Sequence, residues 1–278
     1  MTLKGLVPLA KKVLRLRGSD TLPFLQGVLT NDVYSEAKVV YSYLLNSQGR
    51  VLFDLFLYKL GESDVLLETD ATLESSLLKV LNLYKMRRSV SIETAPYTAC
   101  ASFGPLDSGI IDGPDPRLPQ LGVKSIRGTG EPDSRMDLYR ELRYRLGVPE
   151  GPSELGTGKA IPLESNGDYL NAISFDKGCY IGQELTARAH HTGVIRKRYM
   201  PISFPKPQKI SCDAEELSVL SQNGAKVGVL KAVMGTRGLG LMRIRESLEA
   251  GDLSIEVNGE NVEVEVSCPE WWPKLSMP

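Results

Sequence analysis

Residues 176–193 read Asp-Lys-Gly-Cys-Tyr-Ile-Gly-Gln-Glu-Leu-Thr-Ala-Arg-Ala-His-His-Thr-Gly, and they gather the side chains best suited to chemistry. Gly178 and Gly182 bracket Cys179-Tyr180-Ile181. Two glycines four apart allow a backbone with φ > 0 that passes close to another group. Gln183 to Ala189 reads as a short helix, which puts Cys179 just ahead of a helix N-terminus and beside Lys177. Both neighbours favour a thiolate over a thiol. A thiolate can attack an electrophile, ligate a metal or sense redox state; a buried cysteine would only pack as a small hydrophobe.

The other candidates are weaker. Cys100 alternates within a strand pattern as a core residue, and Cys212 and Cys268 lack flanking glycines and cations. No Cys-x-x-Cys pair exists, so a metal held by Cys179 needs ligands from a partner protein. His190-His191 invites a Cys–His nucleophile, but neighbours on a strand face opposite ways and no orienting acid is identifiable. Arg196-Lys197-Arg198 reads as a solvated basic edge able to hold an anionic carboxylate tail. The glycines of Gly235-Thr236-Arg237-Gly238-Leu239-Gly240 have the wrong spacing for a dinucleotide fingerprint and read as turns of a β-rich region.

The elements that must position these residues follow from hydrophobic period. Lys11 to Arg17 reads as a first strand with one solvated face. Residues 1–19 carry five cations and no acid, as transit peptides do; a removed presequence would already be missing from the chain. A helix capped by Ser19 or Asp20 carries Leu22, Phe24, Leu25, Val28 and Leu29. Strands at 39–45, 51–60 and 65–68 precede a helix with Leu73, Leu77, Leu81 and Tyr84 on one face, then strands at 90–93 and 97–103. This succession of strands and one helix fits a ferredoxin-like antiparallel sheet with helix cover. Residues 104–122 and 150–158 read as loops. A helix from Asp133 or Ser134 to Leu146 presents Arg140, Arg143 and Arg145 as a solvated face. Short strands at 217–220, 227–232, 238–244, 253–257 and 262–266 predict a small β-barrel or sandwich, sealed by Trp271-Trp272-Pro273.

Composition narrows the class. The 278 residues hold 33 Lys plus Arg against 34 Asp plus Glu, a net charge of −1 that argues against a nucleic-acid coat protein or a polybasic membrane binder. No apolar run approaches the ~20 residues of a membrane span. Four cysteines are too few for a disulfide scaffold and fit a reducing compartment.

Lys177-Gly178-Cys179-Tyr180-Ile181-Gly182-Gln183-Glu184 resembles the signature of the folate-binding-protein-like iron–sulfur cluster assembly factors, a branch of the glycine-cleavage T-protein superfamily. The resemblance extends through Leu185-Thr186-Ala187-Arg188, the His pair, Gly193 to Arg198 and the Trp-Trp-Pro tail, where it is closest to the mitochondrial branch. Phe24-Leu25-Gln26-Gly27, Leu29-Thr30-Asn31-Asp32, Arg145 to Pro149 and Pro162 to Asn166 are similar to other superfamily stretches.

The resemblance implies an α+β, T-protein-like, three-lobed arrangement with mainly antiparallel sheets. A discontinuous folate-binding-like domain would take residues 1–48 and 131–198, a ferredoxin-like insert 49–130, and a C-terminal β-barrel 199–278. It implies a tetrahydrofolate cavity, with Glu164 and Asn166 as pterin acceptors and Arg188 and Arg196 as cations for the glutamate tail. It further implies work in the mitochondrial matrix on maturation of [4Fe–4S] proteins, with an A-type cluster carrier and apo iron–sulfur target proteins as partners and no nucleic acid. Cys179 would be the reactive or metal-ligating thiol, with a [2Fe–2S] cluster shared with the carrier, and Lys177 its assisting cation. The alternative is a tetrahydrofolate-dependent aminomethyltransferase-like enzyme using Asp54 as base. The related transferases carry a paired Asp-Asp where this chain reads Phe53-Asp54, which counts against that activity.

Overall fold

The computed structural model describes residues 3–105, 109–210, 217–257 and 259–273. In chain order the elements are β1 (Gly5–Pro8), β2 (Lys11–Arg17), α1 (Thr21–Val28), β3 (Val39–Leu45), β4 (Val51–Gly61), β5 (Asp64–Asp70), α2 (Glu74–Lys85), β6 (Ser91–Ala95) and β7 (Thr98–Phe103). There follow β8 (Ile111–Pro114), β9 (Val123–Arg127), α3 (Arg135–Leu146), α4 (Pro152–Leu155) and α5 (Gln183–Thr192). The last part holds β10 (Lys197–Gln208), β11 (Ser218–Ser221), β12 (Lys226–Arg243), α6 (Ile244–Glu249), β13 (Leu253–Val257) and β14 (Glu260–Val266).

These strands build two antiparallel sheets and a closed barrel. One sheet has the order β3-β4-β5-β2-β6, the second β1-β7-β9-β8, and the barrel β10-β12-β11-β13-β14. The mixed α/β fold class with antiparallel sheets and a C-terminal barrel is as the resemblance implied. The strands and helix expected between 39 and 103 follow one another as read, but the sheet also takes in β2, and β7 leaves its neighbours and pairs with β1 and β9 in the second sheet. β3 and β4, on either side of residue 48, pair along their whole shared length, so one sheet runs through that point of the chain.

The five-stranded sheet is covered on both faces, which is why β3 is buried throughout. Val39, Tyr41, Tyr43 and Leu45 face a core shared with Phe56, Tyr58, Ile126 and Tyr199. Val40 and Leu44 face the opposite core, where α1 contributes Leu22, Phe24, Leu25 and Val28 and α2 contributes Leu77 and Leu81. Each such aliphatic burial is worth about 1.5–3 kcal/mol, so the two helices are held by their apolar stripes.

Between the sheets lies a layer of paired buried charge. Arg117 is fully buried and bonds Asp115 (2.8 Å), Glu150 (2.6 Å) and the Tyr139 hydroxyl (2.8 Å). Lys124 pairs with Glu68 at 2.7 Å, and Lys11 with Glu150 at 2.9 Å. Burial alone would lower the Lys11 pKa; the carboxylates of Glu150, Asp54, Glu68 and Asp70 outweigh it and hold the ammonium above its usual range.

Several sequence expectations are corrected here. Arg143 is not solvated: it is buried, and its guanidinium meets both Glu154 oxygens at 2.8 Å. The two supposed loops contain β8 and α4 and supply Asp115, Arg117, Glu150 and Glu154 to the charged layer. The barrel strands expected at 227–232 and 238–244 are one strand, β12, and β10 completes the count. Gly238 and Gly240 are strand residues there; a Cβ at Gly240 would lie 2.6 Å from Ile202 Cδ1, so these glycines permit close packing and not turning. Trp271 Nε1 donates to Leu146 O at 2.7 Å and Trp272 is buried in the barrel core, so the tail joins barrel to α3. Cys212 and Asn258 lie outside the described residues.

Candidate functional site: an exposed cysteine on an anchored loop

The loop from Ser174 to Gly182 wraps the end of edge strand β3. Its anchors are Tyr180, which packs on the Tyr41–Tyr199 core, and Ile181, which packs on the opposite core beneath α1. Ile181 N–H also donates to Gly27 O (3.2 Å), at the C-terminal end of α1. Gly182 has φ +78°, and a Cβ there would lie 2.2 Å from Asn46 O and 3.0 Å from Leu45 Cβ. It interlocks with Gly49, itself at φ +77°, whose own Cβ would meet Gly182 O at 2.9 Å. The chain then enters α5 without a side-chain cap; instead Gln183 Oε1 accepts from Tyr180 N–H at 3.2 Å.

Only one of the two expected glycine hinges is needed. Gly178 has an ordinary φ and open space where a side chain would go. We expect Gly182→Ala to lower stability by about 2 kcal/mol or more, through backbone strain and the clash with Asn46. Gly178→Ala should stay within about 0.5 kcal/mol of the parent. Urea unfolding midpoints compare the two, and equal midpoints would refute the interlock.

Cys179 immediately precedes the Tyr180 and Ile181 anchors, its side chain exposed, and no hydrogen bond to its sulfur is present among the described residues. Cys100 is buried, and desolvation pushes its thiol up to about 11. Cys268 is exposed, with its thiol also raised by partial burial.

Lys177 does not assist the thiol in the way its sequence position implied. Its ammonium donates to three carbonyls, Gln26 O (2.7 Å), Leu29 O (2.6 Å) and Asn31 O (3.0 Å), where α1 ends and its carbonyls lack helical partners. Burial lowers its pKa to about 8. Lys177 is therefore the bolt that fixes the cysteine loop to α1, a role the local sequence around Cys179 could not reveal.

The remaining expected residues separate. Arg188 and Arg196 are exposed and carry no side-chain hydrogen bond among the described residues. The Glu164 carboxyl is half-buried, raised in pKa by desolvation and likewise without a hydrogen bond. Asn166 is committed elsewhere: at φ +59° its amide donates to Tyr199 O (2.9 Å) and its oxygen accepts from Arg198 (3.4 Å). Arg198, expected on a solvated edge, is buried against Asp168 (2.7 Å) and the Tyr169 ring, because strand alternation turns it inward while Lys197 stays out. His190 and His191 lie on α5 and not on a strand; the His190 ring stacks on Phe175 at 3.6 Å between centroids. Among the described residues no three His, Cys, Asp or Glu side chains converge as a metal site. Asp54 is buried, accepts from Gly151 N–H at 3.0 Å and lines a cleft with Leu52, Leu73 and Pro152 that is too tight for water. Desolvation raises its pKa.

The two antiparallel sheets and the closed C-terminal barrel give the chain a T-protein fold. Residues 11–111 match the GCVT N-terminal domain model and residues 196–274 match the CAF17 C-terminal β-barrel domain model. The crystal structure of the glycine cleavage system aminomethyltransferase T from Bartonella henselae superposes with a TM-score of 0.72 over 96% of this chain and 86% of that one, at 15% identity. Among curated proteins, the human "Iron-sulfur cluster assembly factor IBA57, mitochondrial" is 39% identical over 96% of this chain and 84% of its own length. The mouse protein of that name is 35% identical over 95% and 84%. The chain belongs to the IBA57 family of iron–sulfur cluster assembly factors.

Proposed function

We propose that this protein acts in the mitochondrial matrix in the maturation of [4Fe–4S] proteins. It would pair with an A-type cluster carrier and act on apo iron–sulfur targets, with Cys179 as its own ligand to a [2Fe–2S] cluster that the two proteins share. The observation that carries the reading is an exposed sulfur held between two partly buried anchors, Lys177 before it and Tyr180 after it. A carrier's cluster can reach such a sulfur without unfolding the loop. The thiol gives up its proton on binding iron, and the rest of the ligand set comes from the carrier. Mixing the protein with [2Fe–2S]-loaded carrier tests this. A heterodimer with an altered visible spectrum is expected, and no complex in the presence of the cluster refutes it.

A second ligand reading rests on Glu164. A half-buried carboxyl without a hydrogen bond is an acceptor in want of N–H donors, which the pterin ring of tetrahydrofolate has. Exposed Arg188 and Arg196 could take the glutamate tail, while Asn166 is already bonded. We expect Glu164→Gln to weaken tetrahydrofolate binding roughly tenfold or more, the scale of a charged hydrogen bond. Calorimetry measures it, and parent protein that binds no folate ends this reading. Aminomethyl transfer has no support at Asp54, whose carboxyl is sealed against Gly151.

A further inference from the structure

Whole-chain charge balance conceals a local segregation. Residues 75–92 contain Lys79, Lys85, Arg87 and Arg88 and no acid. They form most of α2 and the turn after it; Leu83 in the helix's last turn and Met86 at its C-terminal cap are the two most exposed large apolar side chains of the described residues, at 70% and 81%. Leu77, Leu81 and Tyr84 hold the helix to the sheet, and Leu83 and Met86 stand out on its solvent side. Met86 ends the helix at φ +50°, a place where glycine is the usual residue. The nearby acids are occupied: Asp20 accepts from Ser89 N–H (2.7 Å), Glu74 from Thr94 and Glu93 from Arg17.

We propose that this tip is a membrane-surface contact, in which Leu83 and Met86 enter the headgroup region of an anionic bilayer while Lys79, Arg87 and Arg88 meet lipid phosphates. Protruding apolar residues ringed by cations on long stems are the composition that binds such surfaces. A protein partner would more often seat them in a groove with fixed, paired acids. The tip lies at the N-terminal end of α1, where Ser89 meets Asp20, and the cysteine loop lies at its C-terminal end, where Ile181 meets Gly27. The eight residues of α1 span roughly 12 Å, so a membrane-bound molecule can still present Cys179 to a soluble partner.

The test is flotation of the full chain with phosphatidylcholine vesicles, with and without about 30 mol% phosphatidylglycerol. Binding to the anionic vesicles alone is expected, and it should fall steeply as salt rises from about 0.05 to about 0.5 M. Leu83→Ser/Met86→Ser should weaken it roughly tenfold. Lys79→Gln/Arg87→Gln should weaken it by about fivefold per charge. All four side chains are exposed or leave their packing unchanged, and matching unfolding midpoints will establish that. Parent protein that ignores anionic vesicles, or a double serine variant that binds as well as the parent, overturns the proposal. Tight binding to soluble polyglutamate with the same dependence on Leu83 and Met86 would assign the tip to an acidic protein and overturn it equally.

Discussion

Cys179→Ala is expected to fold like the parent and to fail to form the cluster-bearing complex with the A-type carrier. The two halves of that result have separate physical grounds. The side chain is exposed and makes no hydrogen bond among the described residues, so removing the sulfur leaves no cavity and no orphaned group; stability should move by no more than about 0.5 kcal/mol. The loop keeps its shape because Tyr180, Ile181, Gly182 and Lys177 hold it. The iron, by contrast, loses a ligand for which serine or alanine is no substitute. Size-exclusion chromatography of the carrier mixture, read at a cluster absorbance, should show the parent heterodimer and only separate species for the variant. Cys268→Ala serves as the control and should behave as the parent, since its sulfur lies on the barrel tail far along the chain. Alkylation of the native protein should mark Cys179 well before Cys100, whose thiol is buried and pushed up to about 11. A Cys179→Ala protein that still yields the cluster-bearing heterodimer would remove this sulfur from the ligand set.

What the sequence disclosed and what it concealed divide along one physical line. Signals that depend on local chain geometry were legible. The Gly182-Gln183 entry to α5, the αL glycine that ends α3 at Gly147 and the period-3.6 stripe of α2 are all set by residues within a turn of each other. Signals that depend on partners distant in sequence were not. Lys177 looked like a companion of Cys179 because it is two residues away, yet its ammonium finds carbonyls about 150 residues earlier. Arg143 and Arg198 looked solvated because arginine usually is; their partners Glu154 and Asp168 are separated by 11 and 30 residues and no spacing rule links them. Asp115 and Arg117 sit in a Pro- and Gly-rich stretch that reads as surface loop, and only the second sheet makes it interior. One sign was present in the letters: four acids and arginines punctuating otherwise apolar loops at 115–117 and 150–154.

That buried layer carries the largest stability effect expected here, at Arg117. Its guanidinium is fully enclosed: Nε and Nη2 donate to Asp115, Nη2 also to the Tyr139 hydroxyl and Nη1 to Glu150, with the Phe56 ring centroid 4.7 Å away. Arg117→Met fits the space but leaves Asp115 without a counter-charge. Truncating one partner of a buried pair costs about 3–5 kcal/mol, which at a few degrees per kcal/mol lowers the melting temperature by roughly 10 °C. Glu150 retains Lys11 at 2.9 Å and the edge of Arg143, so adding Asp115→Asn to Arg117→Met should recover a substantial part of the loss. The layer also sets the acid limit. Burial alone would raise the Glu150 pKa, but Lys11, Arg143, Arg117 and Lys124 hold it well below the usual carboxylate range. A depressed folded-state pKa contributes stability above the unfolded value and loses it as pH falls through the folded one. The parent should therefore weaken below about pH 4.5, and Arg117→Met, with Glu150 less depressed, should show a shallower acid loss from a lower plateau. Because Lys177 and Ile181 fix the cysteine loop to α1, outside the charged layer, the variant at low temperature should still bind the carrier as the parent does. A fall in binding without a fall in folded fraction would mean that the charged layer shapes the site directly, and a melting temperature unchanged by Arg117→Met would mean that it holds nothing together.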